Sequence, residues 1–487
     1  MGVSELHGKV TRRILQSGYP GYPENEVPVG YVTNGIHTRS FVNKDMADLF
    51  EQYLGGRWAG LNESSLWSKV ADIPDEEIWR VRERRREKLV QFARARLKHQ
   101  YEQVGRSDYE VRMTREVLNP HALTIGFARR FATYKRATLL LSDPERLLRL
   151  LNDPARPMQI ILAGKAHPKD DAGKELIQRV VQFARREDVR KSIVFLEDYE
   201  MCVARTMVQG VDIWLNTPRR PMEASGTSGM KILANGGLNL SIPDGWWAEA
   251  YEPGVGWSIG KGEDYADPNE QDRLESLALY DLLEKEVVPL FYDRSTGDLP
   301  RAWVSRIKNS IKTLCPVFNT NRMVGEYAEK FYFPAAKRFE RLQADDHKAA
   351  KSLVSWKRTV GNHWNEVSVI EALTDHSEVT EALKNSDIMD KIRVGEYLTV
   401  KAKIHLGSLS PTDVNVQIIH GLLDSNHQIV NYSVDTLILI SNVGGICDYE
   451  GEIPCTKSGQ QGYSIRVVPS HPDAILPQEL SLITWEG

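Results

Sequence analysis

Apolar positions follow three different patterns along the chain, with changes near residues 120 and 390. From 74 to 104 they recur at helical spacing. Pro74 and the acidic residues 75–77 favour a helix start, and Gly105 favours its end. We therefore predict one long helix over 74–104. Further helices are expected at Leu277–Leu290, Ala302–Leu314 and Arg322–Leu342.

Short apolar runs alternate with helical stretches between residues 120 and 242. Runs of this length are typical of strands that are buried on both faces. The predicted strands are Ala122–Ala128, Met158–Ala163, Ser192–Leu196, Val211–Leu215 and Leu238–Ile242, with helices such as Lys174–Arg186 and Tyr199–Val208 between them. This alternation predicts an α/β fold with a doubly wound parallel, Rossmann-like sheet, in which ligands bind at the carboxyl ends of the strands.

Strict alternation of apolar and polar residues begins after about residue 390. It is clearest at Leu398, Val400, Ala402 and Ile404, and it indicates half-buried antiparallel strands. We expect a small β-sandwich domain over 391–487, with a linker over 351–390. The Rossmann-like domain and its C-terminal helices are expected over 119–350, and residues 1–118 form a separate N-terminal piece.

The charge of the chain gives no sign of a polyanionic partner. The 487 residues carry a formal net charge of −4, so no basic field is directed at nucleic acid or an anionic membrane. The cationic stretch Arg80–Lys88 is either a nucleic-acid patch or a solvated helix face, and its interleaved apolar residues favour the helix face. No run of about 18 apolar residues predicts a membrane span. Met1–His7 lacks the basic start and apolar middle of a signal peptide.

The four cysteines are scattered along the chain. Their spacing fits neither a set of metal ligands nor a disulfide framework. Cys447 and Cys455 are close enough in sequence to pair, but reduced thiols are the expectation for a large enzyme-like chain. Reduced thiols favour a cytoplasmic location.

The segment 221–231 follows the predicted strand Val211–Leu215 and leads into a helical stretch. Its small residues allow backbone N–H groups to approach an anion at a helix start. On composition alone, a phosphate-binding turn and a flexible loop are both open. Lys231 stands eight positions after Glu223, and a lysine beside a phosphate-binding turn can hold pyridoxal phosphate (PLP) covalently.

A second cluster, 129–136, follows the predicted strand Ala122–Ala128. It contains Arg129, Arg130, Lys135 and Arg136, four cations in eight residues. Such a cluster at the end of a strand suits a bound dianion. A solvated basic turn is the alternative.

These two motifs resemble those of glycogen and starch phosphorylases. Residues 223–231 match the cofactor signature Glu-Ala-Ser-Gly-Thr-x-x-Met-Lys, and they differ only at Ser228-Gly229, where many members have Gly-Asn. Residues 129–136 resemble Lys-Arg-x-x-x-Tyr-Lys-Arg, with Arg129 in place of the usual lysine. The resemblance to α-glucan phosphorylases of the compact prokaryotic type runs over most of the chain. It implies the second half of a glycosyltransferase GT-B fold.

The resemblance implies a role for each matching residue. PLP would be held by Lys231, with Gly226, Thr227 and Arg129 at its phosphate and Tyr199 near its ring. Arg130 and Lys135 would be catalytic and, with Tyr134, would bind the substrate phosphate; the glucosyl unit would be bound by Glu223, Ala224, Ser225, Asn34 and His7. The implied reaction is phosphorolysis of terminal α-1,4-linked glucose to glucose 1-phosphate with retention, and the PLP phosphate serves as proton relay. The implied partners are an α-1,4-glucan and inorganic phosphate or glucose 1-phosphate.

Members of this family carry a large N-terminal domain upstream of the segment that contains His7. Residues 1–118 are thus expected to be a remnant of that domain with its linking helices. The chain would be a fragment, a subunit that needs an N-terminal partner or forms a homo-oligomer, or an inactive PLP-binding remnant. Two rival functions are a nucleotide-sugar-dependent glucan synthase, which should have a glutamate at position 231, and a non-catalytic carbohydrate-binding protein.

Overall fold

The computed structural model describes residues 1–60, 63–295, 297–375 and 394–486. They form two compact units. The first contains Met1–Val10 and Gly30–Phe331, and the second contains Thr11–Val29 and the described part of Tyr332–Gly487.

A six-stranded parallel sheet forms the centre of the first unit. Its strands are β1 (Leu123–Ala128), β2 (Met158–Ala163), β3 (Ile193–Leu196), β4 (Ile213–Asn216), β5 (Leu238–Ser241) and β6 (Gly256–Ser258). Their order is β3-β2-β1-β4-β5-β6, and the register aligns Ile125 with Ile160 on one side and with Ile213 on the other. Strands β1 to β5 are buried along their whole length, because helices cover both faces. The predicted doubly wound parallel sheet is confirmed.

Helices account for most of the remaining first unit. Up to residue 331 they are α1 (Glu5–Leu15), of which residues 11–15 belong to the second unit, α2 (Thr38–Phe41), α3 (Lys44–Leu54), α4 (Ser64–Ser68), α5 (Asp75–Gln103), α6 (Asp108–Met113), α7 (Pro144–Leu151), α8 (Asp171–Ala184), α9 (Met201–Gly210), α10 (Ser228–Leu233), α11 (Trp247–Ala250), α12 (Pro268–Leu282), α13 (Val288–Tyr292), α14 (Arg301–Leu314) and α15 (Thr320–Tyr327). Helix α5 is the long helix predicted over 74–104. The helix expected over Leu277–Leu290 is instead divided by a π-helical turn, Leu283–Val287.

The cationic stretch of α5 is a solvated face only in part: Arg80, Arg84 and Lys88 are exposed as the sequence suggested, but two other arginines are not. Arg82 and Arg86 are buried, and both form ion pairs with Asp212 at 3.3 and 2.8 Å. Asp212 also accepts the Thr124 backbone N–H at 3.0 Å. These two arginines therefore attach α5 to the starts of β1 and β4.

The second unit has one long helix, α16 (Phe333–His363), with non-helical backbone at 344–347, and two antiparallel sheets. The strands are β7 (Ser368–Thr374), β8 (Tyr397–His405), β9 (Val414–Leu423), β10 (Ile429–Thr436), β11 (Ile438–Val443), β12 (Ile446–Pro454), β13 (Gln461–Pro469) and β14 (Thr484–Trp485). Their orders are β10-β9-β13-β14 and β11-β12-β8-β7. A shared core contains Val400, Ile418 and Ile465 together with Trp356 of α16.

The linker expected over 351–390 is not present in its described part. Residues 351–363 continue α16, and β7 pairs with β8 in antiparallel fashion. The sequence pattern missed β7 because its residues are half exposed and do not alternate cleanly. The rest of the expected linker, 376–390, lies outside the described residues.

Two simpler expectations concern thiols and membranes. All four cysteines are free thiols, including Cys447 and Cys455. Among the described helices, none combines the length and apolar character needed to cross a membrane.

Candidate functional site

The candidate site lies where β1, β4 and β5 end. These strands are adjacent and parallel, so the residues that follow them meet at one edge of the sheet. Arg129 follows β1 directly, Asn216 is the last residue of β4, and Asp244 comes shortly after β5. The segment 217–227 then leads from β4 to α10, which carries Lys231.

An ion-pair cluster forms the centre of this edge. Arg129 and Lys135 both donate to Oε2 of Glu223, and Lys135 Nζ lies 2.6 Å from it. Arg129 also donates to the Asn216 side chain. The side chains of Arg129 and Glu223 are each only 9% exposed. Burial by itself would raise the pKa of Glu223, but the Arg129 and Lys135 cations hold it below its ordinary value. Glu223 is therefore an ionised carboxylate at neutral pH.

Asp244 holds the loop that contains Glu223. Its two carboxylate oxygens accept the backbone N–H groups of Glu223, at 2.9 Å, and of Gly245, at 2.8 Å. The Trp246 N–H donates to the Ser225 carbonyl at 2.9 Å. Asp244 is 1% exposed, and burial raises its pKa to about 6 despite the two backbone hydrogen bonds.

Lys231 lies on α10, which packs closely on the sheet. Trp214 Nε1 donates to Ser228 Oγ at 3.1 Å, and a Cβ at Gly229 would contact the Asn239 side chain and the Trp246 ring. Lys231 Nζ lies 4.5 Å from the centre of the Phe41 ring. Burial lowers the pKa of Lys231, and no described residue forms an ion pair with it. A half-buried, unpaired amine of this kind is suited to covalent chemistry.

Besides Arg220 Nε, two buried polar atoms at this edge lack a hydrogen-bond partner among the described residues. They are Ser225 Oγ and Arg129 Nε. Buried polar groups are normally satisfied, so these two atoms are available to a bound polar molecule. Gly226, between Ser225 and Thr227, has a φ of 71°, which favours glycine.

The N-terminal segment attaches to the same loop. Ser4 Oγ donates to the Ala224 carbonyl at 2.7 Å and accepts the His7 N–H at 3.1 Å. The Val3 N–H donates to His7 Nδ1 at 3.1 Å, and the Asn34 N–H donates to the Val3 carbonyl at 3.0 Å. His7 and Asn34, which are far from Glu223 in sequence, are thus held near it.

Three other predicted residues have more varied environments. Tyr134 lies 4.7 Å below the Lys135 ammonium. Burial raises the pKa of Tyr199, while the charge of Arg129 opposes the rise. Arg130 is exposed, and neither it nor Lys231 is joined to the cluster by a hydrogen bond or ion pair between described residues.

Arg136 is not available to bind an anion, although the sequence grouped it with the other three cations. It is buried and forms ion pairs with Asp272, at 2.8 Å, and with Glu275. It also donates to the Thr217 and Pro218 carbonyls. Only three of the four cations therefore remain for an anion.

Sequence reasoning missed Asn216, Asp244 and Ser4. The first two follow strands at the ligand-binding edge, so the rule that located Arg129 could have found them. Ser4 gave no signal, because its partner Ala224 is 220 positions away.

Comparison with known proteins shows the family to which the chain belongs. A family model described as carbohydrate phosphorylase matches residues 1–254, and one described as the glycogen phosphorylase C-terminal domain matches residues 364–487. The first match covers more than half of the 487 residues, and the chain belongs to the carbohydrate phosphorylase family. The parallel sheet followed by antiparallel sheets is consistent with the GT-B-like fold expected for it. The assignment gives no support to a nucleotide-sugar-dependent synthase.

Individual relatives narrow the similarity to α-glucan phosphorylases. Glycogen phosphorylase of Mycobacterium tuberculosis is 39% identical over 484 residues, which cover 99% of this chain and 55% of the relative. Maltodextrin phosphorylase of Thermococcus litoralis is 38% identical over 498 residues, covering 100% and 55%. Glycogen phosphorylase of Aquifex aeolicus is 43% identical over 332 residues, covering 68% and 47%. The chain spans about half the length of these relatives.

Proposed function

We propose that this chain is the PLP- and phosphate-binding part of an α-glucan phosphorylase. The reaction is phosphorolysis of terminal α-1,4-linked glucose to α-glucose 1-phosphate with retention. The observation that carries the proposal is the convergence of Arg129 and Lys135 on Glu223, at the sheet edge where the loop leading to Lys231 begins.

The residues around Lys231 fit PLP. The burial that lowers the pKa of Lys231 favours the neutral amine, which can bond to the cofactor aldehyde. Gly226 and Thr227 precede α10, where backbone N–H groups without helical partners can receive a phosphate. The charge of Arg129 acts on Tyr199, the residue proposed to lie near the cofactor ring. When bound, PLP supplies a phosphate group that exchanges a proton with the substrate phosphate.

The three remaining cations would bind the second phosphate. Two neighbouring phosphate groups repel each other strongly at a partly buried site, and Arg129, Arg130 and Lys135 offset that repulsion. The Lys135 ammonium has three donors, so it can keep its bond to Glu223 and still donate to a phosphate. Arg130 is exposed and needs no existing ion pair to be broken. The cations thus stabilise negative charge in the transition state.

Glu223 and its neighbours would receive the sugar. Ionised Glu223 is an acceptor for glucosyl hydroxyls, and the unpartnered Ser225 hydroxyl can donate or accept. His7 and Asn34 are connected to the same loop by hydrogen bonds: Ser4 bonds both His7 and the Ala224 carbonyl, and Asn34 bonds the neighbouring Val3. In the whole enzyme, residues outside this chain would form the rest of the glucan channel.

The direct test measures phosphate release by the purified chain given PLP, glucose 1-phosphate and a maltodextrin primer. We expect release in the parent and in Lys174→Ala, an exposed control whose lysine pairs only with Asp171. Lys231→Ala should release none. Activity that persists in Lys231→Ala would contradict the proposal. Inactivity of the parent would show that this chain needs a partner that supplies the rest of the enzyme.

Cofactor attachment is measured separately, so that it can be judged without activity. After reduction with borohydride, the parent should gain the mass of one PLP, whereas Lys231→Ala and Lys231→Arg should not. Lys231→Arg keeps a cation near Phe41 and so controls for misfolding. A reduced PLP adduct that survives in both variants would exclude Lys231 as the attachment site. A parent without any adduct would favour a non-catalytic carbohydrate-binding protein.

A further inference from the structure

A cavity of about 220 Å³ lies away from the candidate site, beside the edge strand β3. It is bounded by the C-terminal half of α5, by α6 and by the chain that enters β3. It shares no lining residue with the ion-pair cluster, because its residues precede strands β1 and β3 rather than follow them.

The floor of the cavity is apolar. Leu97 and Val117 are buried, and Tyr101 and Met113 are half-buried beside them. These side chains offer a surface on which a flat ring can pack. Apolar side chains alone do not distinguish a binding site from ordinary core packing. The charged residues around the floor are therefore what indicates a ligand.

The rim of the cavity is strongly cationic. Arg106, Arg185, Arg190 and Lys191 line it, against the single carboxylate of Glu110. Cations held against a surface of low polarity concentrate the field in a cleft and attract an anion. Because α6 places no further carboxylate there, the lining has a large excess of positive charge.

The one carboxylate is already engaged elsewhere. Glu110 Oε2 accepts the Ser107 N–H and hydroxyl in the capping box of α6, at 3.1 and 2.9 Å. Its other oxygen lies 3.3 Å from Arg106 Nη1. Glu110 therefore has its hydrogen bonds satisfied within α6 and by Arg106, and it acts on Arg185 only through charge, without a hydrogen bond.

Lys191 is paired with Glu116 at 3.1 Å, but two of the rim arginines, Arg185 and Arg190, are weakly paired. The nearest carboxylate to Arg190 is that of Glu187, at 3.8 Å, which is too long for a hydrogen bond. Arg185 forms no ion pair or side-chain hydrogen bond with any residue that the structure describes. Guanidinium groups that line one cavity with so few hydrogen-bonded carboxylates are suited to bidentate binding of a phosphate.

We propose that this cavity is a second binding site, for a small organic phosphate that carries a flat ring. The ring packs on Tyr101 and Met113, and the phosphate is bound by Arg185 and Arg190. The site is independent of the proposed phosphorolysis, and its test does not depend on catalysis.

The test is calorimetric titration of the full chain with phenyl phosphate at fixed ionic strength. Inorganic phosphate and benzyl alcohol are titrated as the charge alone and the ring alone. Phenyl phosphate should bind roughly tenfold more tightly than inorganic phosphate, since half of a buried ring contributes about that factor. Benzyl alcohol should bind more weakly than phenyl phosphate. Equal affinity for the two phosphates would overturn the proposal, because the apolar floor would then contribute nothing.

Variants locate the binding. Arg190→Ala should weaken phenyl phosphate binding by roughly three- to tenfold. Arg186→Ala is the matched control, because that arginine is paired with Asp188 at 2.6 Å and does not line the cavity. Met113→Trp should block binding by filling the cavity while it leaves every charge in place. Lys135→Ala should leave this site unchanged. The proposal would be overturned if Lys135→Ala lost all binding while Arg190→Ala and Met113→Trp bound phenyl phosphate as the parent does. That result would assign the ligand to the phosphorylase site.

Discussion

At the scale of single residues, Glu223 determines the electrostatics of the site. It is the common acceptor for Arg129 and Lys135, so a phosphate that approaches these cations meets a resident negative charge. A bound phosphate and Glu223 must therefore both accept hydrogen bonds from Lys135. The affinity for phosphate depends on how many of the three ammonium N–H groups remain for it once Glu223 is bonded.

Removal of Lys135 should weaken phosphate binding more than it slows the chemical step. Lys135→Ala should raise the KM for phosphate by roughly ten- to a hundredfold, the usual value of a charge-assisted hydrogen bond. Steady-state kinetics at varied phosphate measures it, with the complete enzyme if the chain alone is inactive. Lys174→Ala controls for loss of surface charge. An unchanged phosphate dependence would remove Lys135 from the site.

Asp244 gives the first unit a pH dependence of known sign. Its pKa is raised from 3.8 to about 6 by burial, so the folded protein holds an extra proton between those values. Stability should therefore fall as pH rises from 4 to 6, by up to about 3 kcal/mol. Glu223, whose pKa is lowered, acts in the opposite direction. Asp244→Asn should remove the fall, measured as urea unfolding at several pH values. Parallel profiles for parent and variant would contradict this assignment.

At the scale of elements, the strands of the sheet were predictable and the turns were not. The apolar runs located β1 to β5 within two residues, because strands buried on both faces are mainly apolar and contain few polar side chains, such as Gln159 and Asn239. The pattern missed β6, which has three residues. It also missed the π-helical turn Leu283–Val287, since such a turn keeps the same apolar spacing as its neighbours to within one residue.

The turn after β5 depends on one glycine. Gly245 has a φ of 53°, and a Cβ there would collide with the Ser225 carbonyl oxygen. Gly245→Ala should thus destabilise the first unit by about 2 kcal/mol or more and displace Ser225. Gly105→Ala is the control, because Gly105 has a φ of 66° and open space around it. Thermal unfolding compares the two variants. Equal losses of stability would contradict the prediction, because they would show that the loop moves to avoid the collision at no extra cost.

At the scale of the whole molecule, motifs identified the family but not the assembly of the site. The motifs 129–136 and 223–231 are contiguous, so their chemistry could be recognised from the sequence alone. The link from Ser4 to Ala224, and the membership of residues 11–29 in the second unit, join positions hundreds of residues apart. No local pattern encodes such contacts, because each partner is an ordinary polar residue in its own surroundings.

Glu26 joins its segment to the second unit. Its carboxylate accepts from Arg466, at 2.7 Å, and from the Tyr432 hydroxyl, at 2.6 Å. Arg466 is 4% exposed, so Glu26→Ala would leave a buried cation with little compensation. We expect a loss of about 3 kcal/mol in the second unit, measured by hydrogen exchange in β9 and β13. Glu24→Ala, which removes an exposed pair with Arg13, should change little. Unchanged exchange in Glu26→Ala would show that Arg466 is held by its other partners.

The separation of Glu26 from Arg466 has a consequence for biosynthesis. The two residues are 440 positions apart, and ribosomes add roughly 5–20 residues per second. The segment 11–29 is therefore made roughly 20–90 s before its partner strands exist, while the intervening first unit is still being translated. During that interval its side chains face solvent or a chaperone, and the second unit can close only after its last strands have been released from the exit tunnel.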